Sequence, residues 1–183
     1  MVSLAALWLP IVLSAVLVFV VSSIIHMATR WHANDFGRLA AEDAVIDALR
    51  GFNLPPGDYA APLPESMAHM SSPEYKAKQA RGPIFALTVF GETSIPRNLV
   101  KWFVYSLVVA AIAAYVASIA LPAGAPYMSV FRMTSTVALA GYVLALWQRW
   151  IWYSASLGYT VRASIDGLIY ALLTGGVFGG LWP

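Results

Sequence analysis

Four long apolar stretches dominate the pattern of hydrophobic and polar positions along the chain. A helix needs about 20 mainly apolar residues to cross about 30 Å of hydrocarbon, and each stretch approaches or exceeds that length. The sequence therefore predicts an all-α membrane fold with four transmembrane helices. The stretches run from Leu4 to His26, Leu99 to Leu121, Ser129 to Tyr153 and Ala163 to Trp182.

The first stretch differs from a signal peptide. It has no basic residue before the apolar run, which is longer than the usual hydrophobic region of a signal peptide. No small-x-small cleavage site follows it. We therefore interpret residues 1–26 as a retained transmembrane helix, residues 27–98 as an extramembrane insert, and residues 99–183 as the remaining three helices.

The insert is predicted to contain two short helices. Apolar and acidic positions separate onto two faces between Ala40 and Arg50, and Gly51 is expected to close that helix in the left-handed conformation. The second helix begins at Ser72, which can cap it, and stops at the Gly82–Pro83 pair.

The rest of the insert predicts a small two-stranded ribbon, giving an α+β insert. Ile84–Phe90 is rich in apolar and β-prone residues, and its natural partner is the extended segment Asp58–Leu63. A ribbon with two short helices is marginal on its own. We therefore expect the insert to pack on the membrane face of the bundle or on another protein.

Composition agrees with a membrane location and excludes several classes of function. The chain is 60% hydrophobic and 11% charged, against roughly 45–50% and 25% in a typical soluble domain. The net charge is only +2, and the basic residues are scattered, so nucleic-acid binding is not expected. The chain has no cysteine, which excludes disulfides and cysteine-ligated metals.

The distribution of basic residues predicts the orientation of the helices. Basic residues are enriched on the cytoplasmic side of membrane proteins. In this chain they lie next to the spans on the side of the insert, whereas the loop Pro122–Met128 on the other side is uncharged. We therefore expect both termini outside and the insert in the cytoplasm. The basic residues that carry this inference are Arg30, Arg38, Arg97, Lys101, Arg149 and Arg162.

Two groups of residues are candidates for docking a partner chain. The fourth stretch contains overlapping GxxxG pairs, which let helix backbones approach closely in lipid. They either pack inside this bundle or form a docking face. Near the end of the third stretch, a tryptophan cluster either anchors the helix at the interface or holds a lipid, a pigment or a partner helix. The residues are Gly175, Gly176, Gly179 and Gly180, and Trp147, Trp150 and Trp152.

The sequence contains few candidates for metal-binding or catalytic residues. His26 and His32 are six residues apart and would point to different faces of one helix, so no metal site is expected. Asp166 lies near the start of the fourth helix, where Arg149 or Arg162 could pair with it. That ion pair would fix two helices, and the alternative is a proton or substrate site. The chain shows no nucleophile–base set and no phosphate-binding loop, so we do not expect an enzyme.

Several short motifs carry a resemblance to a family of small bacterial inner-membrane proteins. The resemblance covers essentially the whole chain and implies the four-span fold, and it transfers no activity or functional residue. It also implies a place as an accessory subunit of a photosynthetic reaction-centre complex. The motifs are His26-Met27, Pro56-Gly57-Asp58-Tyr59, Ser72-Pro73-Glu74-Tyr75, Ala145-Leu146-Trp147-Gln148 and Asp166-Gly167-Leu168-Ile169-Tyr170-Ala171-Leu172.

Together these features favour a non-catalytic structural subunit of a larger, energy-transducing bacterial membrane complex. Its partners would be other membrane subunits and lipid. We expect no intrinsic cofactor, although a partner complex could bring lipid, (bacterio)chlorophyll or carotenoid into contact, and His26 could then ligate a pigment. The alternative is a stand-alone transporter or lipid-binding protein, which a water-accessible cavity at the membrane midplane containing a charged group would support.

Overall fold

The computed structural model describes residues 2–183 and contains four helices that are long and apolar enough to span a membrane. The protein is therefore a multi-pass, mainly helical membrane protein with a small two-stranded sheet. In chain order the elements are α1 (Leu4–Ala28), α2 (Glu42–Arg50), β1 (Gly57–Ala61), α3 (Met67–Met70), α4 (Pro73–Arg81), β2 (Phe85–Val89), α5 (Ile95–Ala120), α6 (Tyr127–Tyr153) and α7 (Leu157–Gly180).

The chain forms two compact units. The first, the helix bundle, joins the segment up to Gly37 with Ile95–Pro183, and the second, the insert, is Arg38–Ser94. The four predicted spans are confirmed, but α5 and α7 begin earlier than their apolar stretches. Both helices start in polar sequence, and Ser156 caps α7 by accepting a hydrogen bond from the backbone N–H of Tyr159 at 3.4 Å.

Small residues let the helices of the bundle pack closely. The alanines at positions 110, 113, 114 and 117 of α5 are at most 1% exposed. On α7, a Cβ at Gly175 would lie 2.8 Å from the Cβ of Ser135, and a Cβ at Gly179 would lie 2.7 Å from the Tyr127 ring. These two glycines therefore pack against α6 inside the bundle.

The remaining residues of the glycine motif do not share this contact. A Cβ at Gly176 would have only the Tyr127 hydroxyl at 3.9 Å, and a Cβ at Gly180 would meet nothing within 4 Å. The motif is thus divided between an internal pair, Gly175 and Gly179, and an outer pair, Gly176 and Gly180.

The insert confirms the second predicted helix and the ribbon. Ser72 caps α4 by accepting from the N–H of Tyr75 at 3.1 Å. Strands β1 and β2 are antiparallel, with Tyr59 opposite Leu87. The prediction missed helix α3, a single turn that Ser66 caps.

The prediction for Gly51 is wrong. Helix α2 ends there, but Gly51 has a φ of −60°, and the left-handed residue is Asn53 with a φ of 47°. The chain first makes further turns, in which the N–H of Phe52 bonds the carbonyl of Leu49 and the N–H of Asn53 bonds that of Arg50. Asparagine adopts the left-handed conformation more readily than most non-glycine residues, so Asn53 can reverse the chain.

Two of the spanning helices contain a wide π-helical turn. One is Ile24–Ala28 at the end of α1, and the other is Ala140–Leu144 within α6. Such turns are rare and are often found at functional sites, because they redirect side chains relative to a regular helix. Both turns border the cavity described next.

Candidate functional site

A cavity of about 630 Å³ lies in the helix bundle, where α1 ends and α5 and α7 begin. This volume falls within the roughly 300–1,000 Å³ that is typical of small-molecule sites. The cavity is partly open. Its wall is mainly apolar and aromatic, with polar groups from α1, α5 and α7, and the lining includes Ser22, His26, Trp102, Tyr142, Asp166 and Tyr170.

Four aromatic rings build one wall of the cavity. The rings of Trp102 and Tyr105 stack with centroids 5.5 Å apart, and Tyr142 and Tyr170 meet edge to face at 5.5 Å. The Trp102 indole donates a hydrogen bond to the Ser22 hydroxyl at 2.8 Å. Because such contacts fix ring orientation, the wall presents a defined aromatic surface.

The π-helical turns place two of the lining residues. His26 comes from the turn at the end of α1, and Tyr142 from the turn within α6. The turn in α6 also exposes the carbonyl of Gly141, which accepts a hydrogen bond from the Tyr105 hydroxyl at 2.6 Å. Departures from regular helix therefore shape the cavity on two sides.

The Tyr170 hydroxyl is a buried polar group in the cavity wall. Tyr170 is 4% exposed, and its hydroxyl has no hydrogen-bond partner among the residues that the structure describes. Burying an unpaired hydroxyl costs about 1–3 kcal/mol, so native proteins seldom leave one unsatisfied. The wall thus offers a bound molecule a hydrogen-bonding group.

A largely buried polar network begins at Asp166 in the cavity wall. The Asp166 carboxylate lies 2.7 Å from Nε2 of His32, whose Nδ1 lies 2.6 Å from the Asp35 carboxylate. Arg162 donates two hydrogen bonds to the other Asp35 oxygen, at 2.8 and 2.5 Å. The network joins α7 to the segment that follows α1.

Charge balance explains how these groups tolerate burial. The side chains of Asp35 and Asp166 are 6% and 5% exposed. Burial raises the pKa of Asp35, but hydrogen bonds from Arg162 and His32 outweigh it and hold that pKa below its usual value. Asp35 is therefore ionised at neutral pH, and Arg162 compensates its charge.

The chain turn after α1 brings two histidines together. The rings of His26 and His32 stack with centroids 4.3 Å apart and planes 10° from parallel. The expectation that they point apart assumed a continuous helix, but α1 ends at Ala28. Thr29 then forms a turn by donating to the carbonyl of Ile25 and accepting from the N–H of Trp31.

The structure gives Asp166 a different partner from the one expected. Its carboxylate contacts His32, whereas Arg162 pairs with Asp35 and Arg149 is exposed. Asp35 was not among the candidate residues predicted from the sequence. The only available signal was the i,i+3 spacing of His32 and Asp35, which is common in exposed turns.

The tryptophan cluster lies partly on the surface of the bundle. Trp147 packs against the buried core and meets Trp150 edge to face at 5.9 Å. Trp150 and Trp152 are 40% and 79% exposed. Exposed indoles suit an interfacial anchor or a contact with another molecule.

His26 and two side chains of the network could together hold a metal ion. His26, His32 and Asp166 each offer one ligand atom, and these atoms lie within 4.8 Å of one another. Two imidazoles and a carboxylate form a donor set that divalent transition ions favour.

These observations define a class: a four-helix membrane protein with an aromatic cavity and a buried histidine–carboxylate network. The comparisons with known proteins add no family to that description. No family model, no curated protein and no solved structure matches the chain.

Proposed function

We propose that the protein is a non-catalytic, membrane-embedded binding protein for an amphipathic small molecule taken from the bilayer. The observation that carries this proposal is the cavity, whose aromatic wall continues into a charged, hydrogen-bonding end. Binding sites for small molecules typically combine a mainly apolar wall with a few placed polar groups.

The wall suits the apolar part of such a molecule. Trp102, Tyr105 and Tyr142 offer ring faces and edges to an acyl chain, an isoprenoid chain or a flat ring system. The unpaired hydroxyl of Tyr170 can donate to a carbonyl or ester oxygen. A ligand of this class enters from lipid and does not need to cross water.

The polar end suits a head group. His26 and Asp166 line the cavity together with Lys101. His26 is the more available of these two residues, because it is exposed, whereas Asp166 already contacts His32. A head group with both donors and acceptors would be held there, close to the membrane surface.

Filling the cavity should abolish binding. Ala163 lines the cavity on α7, so Ala163→Phe places a ring inside it. Native mass spectrometry of chain purified from its membrane in mild detergent should show a bound small molecule on wild type and its loss from Ala163→Phe. The matched control is Ala111→Phe, since Ala111 is exposed on α5. Equal retention by both variants, or no bound molecule on folded wild type, would overturn the proposal.

Tyr170→Phe tests the hydrogen bond within the same site. The variant removes only the unpaired hydroxyl, so retention should fall while the bundle stays folded. Tyr115→Phe on α5 is the control, because Tyr115 is 54% exposed.

The second proposal is a structural subunit of a larger bacterial membrane complex, energy-transducing or photosynthetic, as the family resemblance implies. The observation that favours it is the insert, in which Tyr75 is the only buried residue and large side chains such as Phe52 and Phe90 are more than two-thirds exposed. The outer glycines and the exposed tryptophans would be its contacts within the membrane. Co-purifying polypeptides and pigments in the same preparation would support this proposal, and a chain that purifies alone would count against it.

The proposed orientation places the protein in the bacterial inner membrane with both termini outside and the insert in the cytoplasm. It rests on the basic residues next to the spans. Reporter fusions at Ser66 and Pro183 are expected to report the cytoplasm and the outside, respectively. Signals from the same side at both positions would contradict this topology.

A further inference from the structure

We propose that His26, His32 and Asp166 form a binding site for one divalent transition-metal ion of the zinc class. Their three ligand atoms lie within 4.8 Å of one another at the polar end of the cavity. This inference goes beyond the proposed function, because it rests on the ligand atoms and requires no amphipathic molecule.

Both histidines are held so that the same ring nitrogen remains available. Nδ1 of His26 lies 3.0 Å from the carbonyl oxygen of Ser22, and Nδ1 of His32 lies 2.6 Å from the Asp35 carboxylate. Since a carbonyl and a carboxylate only accept, each Nδ1 carries the proton. Nε2 of each ring is then the atom that presents a lone pair to an ion.

The partners behind His32 resemble the outer shell of a metal site. Histidine ligands usually donate their other N–H to a carboxylate or carbonyl, which fixes the ring and raises its basicity. Asp35 supplies that carboxylate to His32, and Arg162 holds Asp35 in turn. A hydrogen-bonded chain therefore supports the ligand from outside the site.

The short contact between His32 and Asp166 already places two of the ligand groups side by side. Nε2 of His32 lies 2.7 Å from the carboxylate of Asp166, and Nδ1 of the same ring already donates to Asp35. Two ligand atoms that each lie about 2.0–2.2 Å from one zinc ion are farther apart than this contact. The His32 ring and the Asp166 carboxylate must therefore separate slightly to bind the ion between them.

The ion requires a local adjustment at His26. A metal lies in the plane of each imidazole that binds it, and the two rings are now nearly parallel and stacked. The rings must therefore tilt. His26 can do so, because it is exposed and a single hydrogen bond to Ser22 holds its ring.

The donor set selects the class of ion. Two imidazoles and one carboxylate match zinc sites with an open fourth position and non-haem iron(II) sites, whereas Mg²⁺ and Ca²⁺ favour all-oxygen ligands. Both His26 and Asp166 line the cavity, so the open position faces it.

Metal titration of the full chain tests this site. Untagged protein in detergent, stripped with a chelator, should bind one Zn²⁺ per chain by calorimetry and give tetrahedral Co²⁺ absorption bands. His26→Ala should weaken Zn²⁺ binding more than tenfold, and Asp35→Asn by about 10–100-fold, as is typical of outer-shell partners. Excess Mg²⁺ should not compete. His69→Ala in the insert is the control and should bind as wild type does.

A second variant separates loss of the ligand from loss of the fold. His26→Phe keeps an aromatic ring against His32 but has no metal-binding nitrogen. It should melt as the wild type does in chelator and bind no Co²⁺ with the tetrahedral spectrum. Failure of the wild type to bind Zn²⁺ stoichiometrically, or unchanged affinity in His26→Phe, would overturn the metal site.

Discussion

Gly175→Leu is expected to destabilise the helix bundle by about 3 kcal/mol or more. A single Cβ at Gly175 would lie 2.8 Å from Ser135 and 3.0 Å from the Phe131 backbone carbonyl oxygen. A leucine must therefore push α6 and α7 apart, and overpacking of this kind costs about 1–3 kcal/mol even for smaller insertions. Denaturation in a graded detergent mixture measures the free energy of unfolding.

Gly180→Leu is the matched control for this experiment. It adds the same side chain to the same helix, but a Cβ at Gly180 meets nothing within 4 Å. It should unfold like the wild type. If Gly175→Leu were equally stable, α6 and α7 would not pack as described. If Gly180→Leu kept its stability but lost a co-purifying chain, the outer pair of glycines would be a docking face.

Arg162→Ala is expected to cost about 3–5 kcal/mol of unfolding free energy. The variant leaves the Asp35 carboxylate, 6% exposed, without the guanidinium that compensates its charge. Removing one partner of a buried ion pair is far more damaging than the net value of the pair, because the other charge stays buried. Detergent denaturation at neutral pH measures the loss.

Two further variants test whether the uncompensated charge of Asp35 causes this loss of stability. The double variant Arg162→Ala/Asp35→Asn should regain part of the stability, because it also removes the uncompensated charge. Arg50→Ala breaks an ion pair with Asp47 in which both side chains are about two-thirds exposed, and should cost about 1 kcal/mol or less. If Arg162→Ala lost as little unfolding free energy as Arg50→Ala, Asp35 would be accessible to water and would not need Arg162 to compensate its charge.

The helices of this protein follow closely from its sequence. The spans and α4 were predictable because long apolar runs and a Ser-Pro start are local signals, which act on neighbouring residues. The starts of α5 and α7 were not, because each helix includes polar residues before its apolar stretch, and α7 begins where Ser156 caps it. The backbone conformation of Gly51 could not be predicted, because it depends on the hydrogen bonds that Phe52 and Asn53 make after it.

The candidate site was much less predictable. Asp166 stood out as an ionisable group in an apolar stretch, but its contact with His32 links positions 134 residues apart. The cavity depends on two π-helical turns that have no clear signature in the sequence. Helical periodicity also gave the wrong prediction that His26 and His32 point apart. It assumed a continuous helix, whereas the chain turns after Ala28.

An experimental structure of the chain purified from its native membrane, with a bound antibody fragment to add mass, tests the central claim most directly. We expect continuous density along Trp102 and Tyr142, with a head group near His26 and a hydrogen bond from the Tyr170 hydroxyl. A cavity collapsed by closure of α5 onto α7, or one filled only by water with Tyr170 bonded to protein, would contradict it.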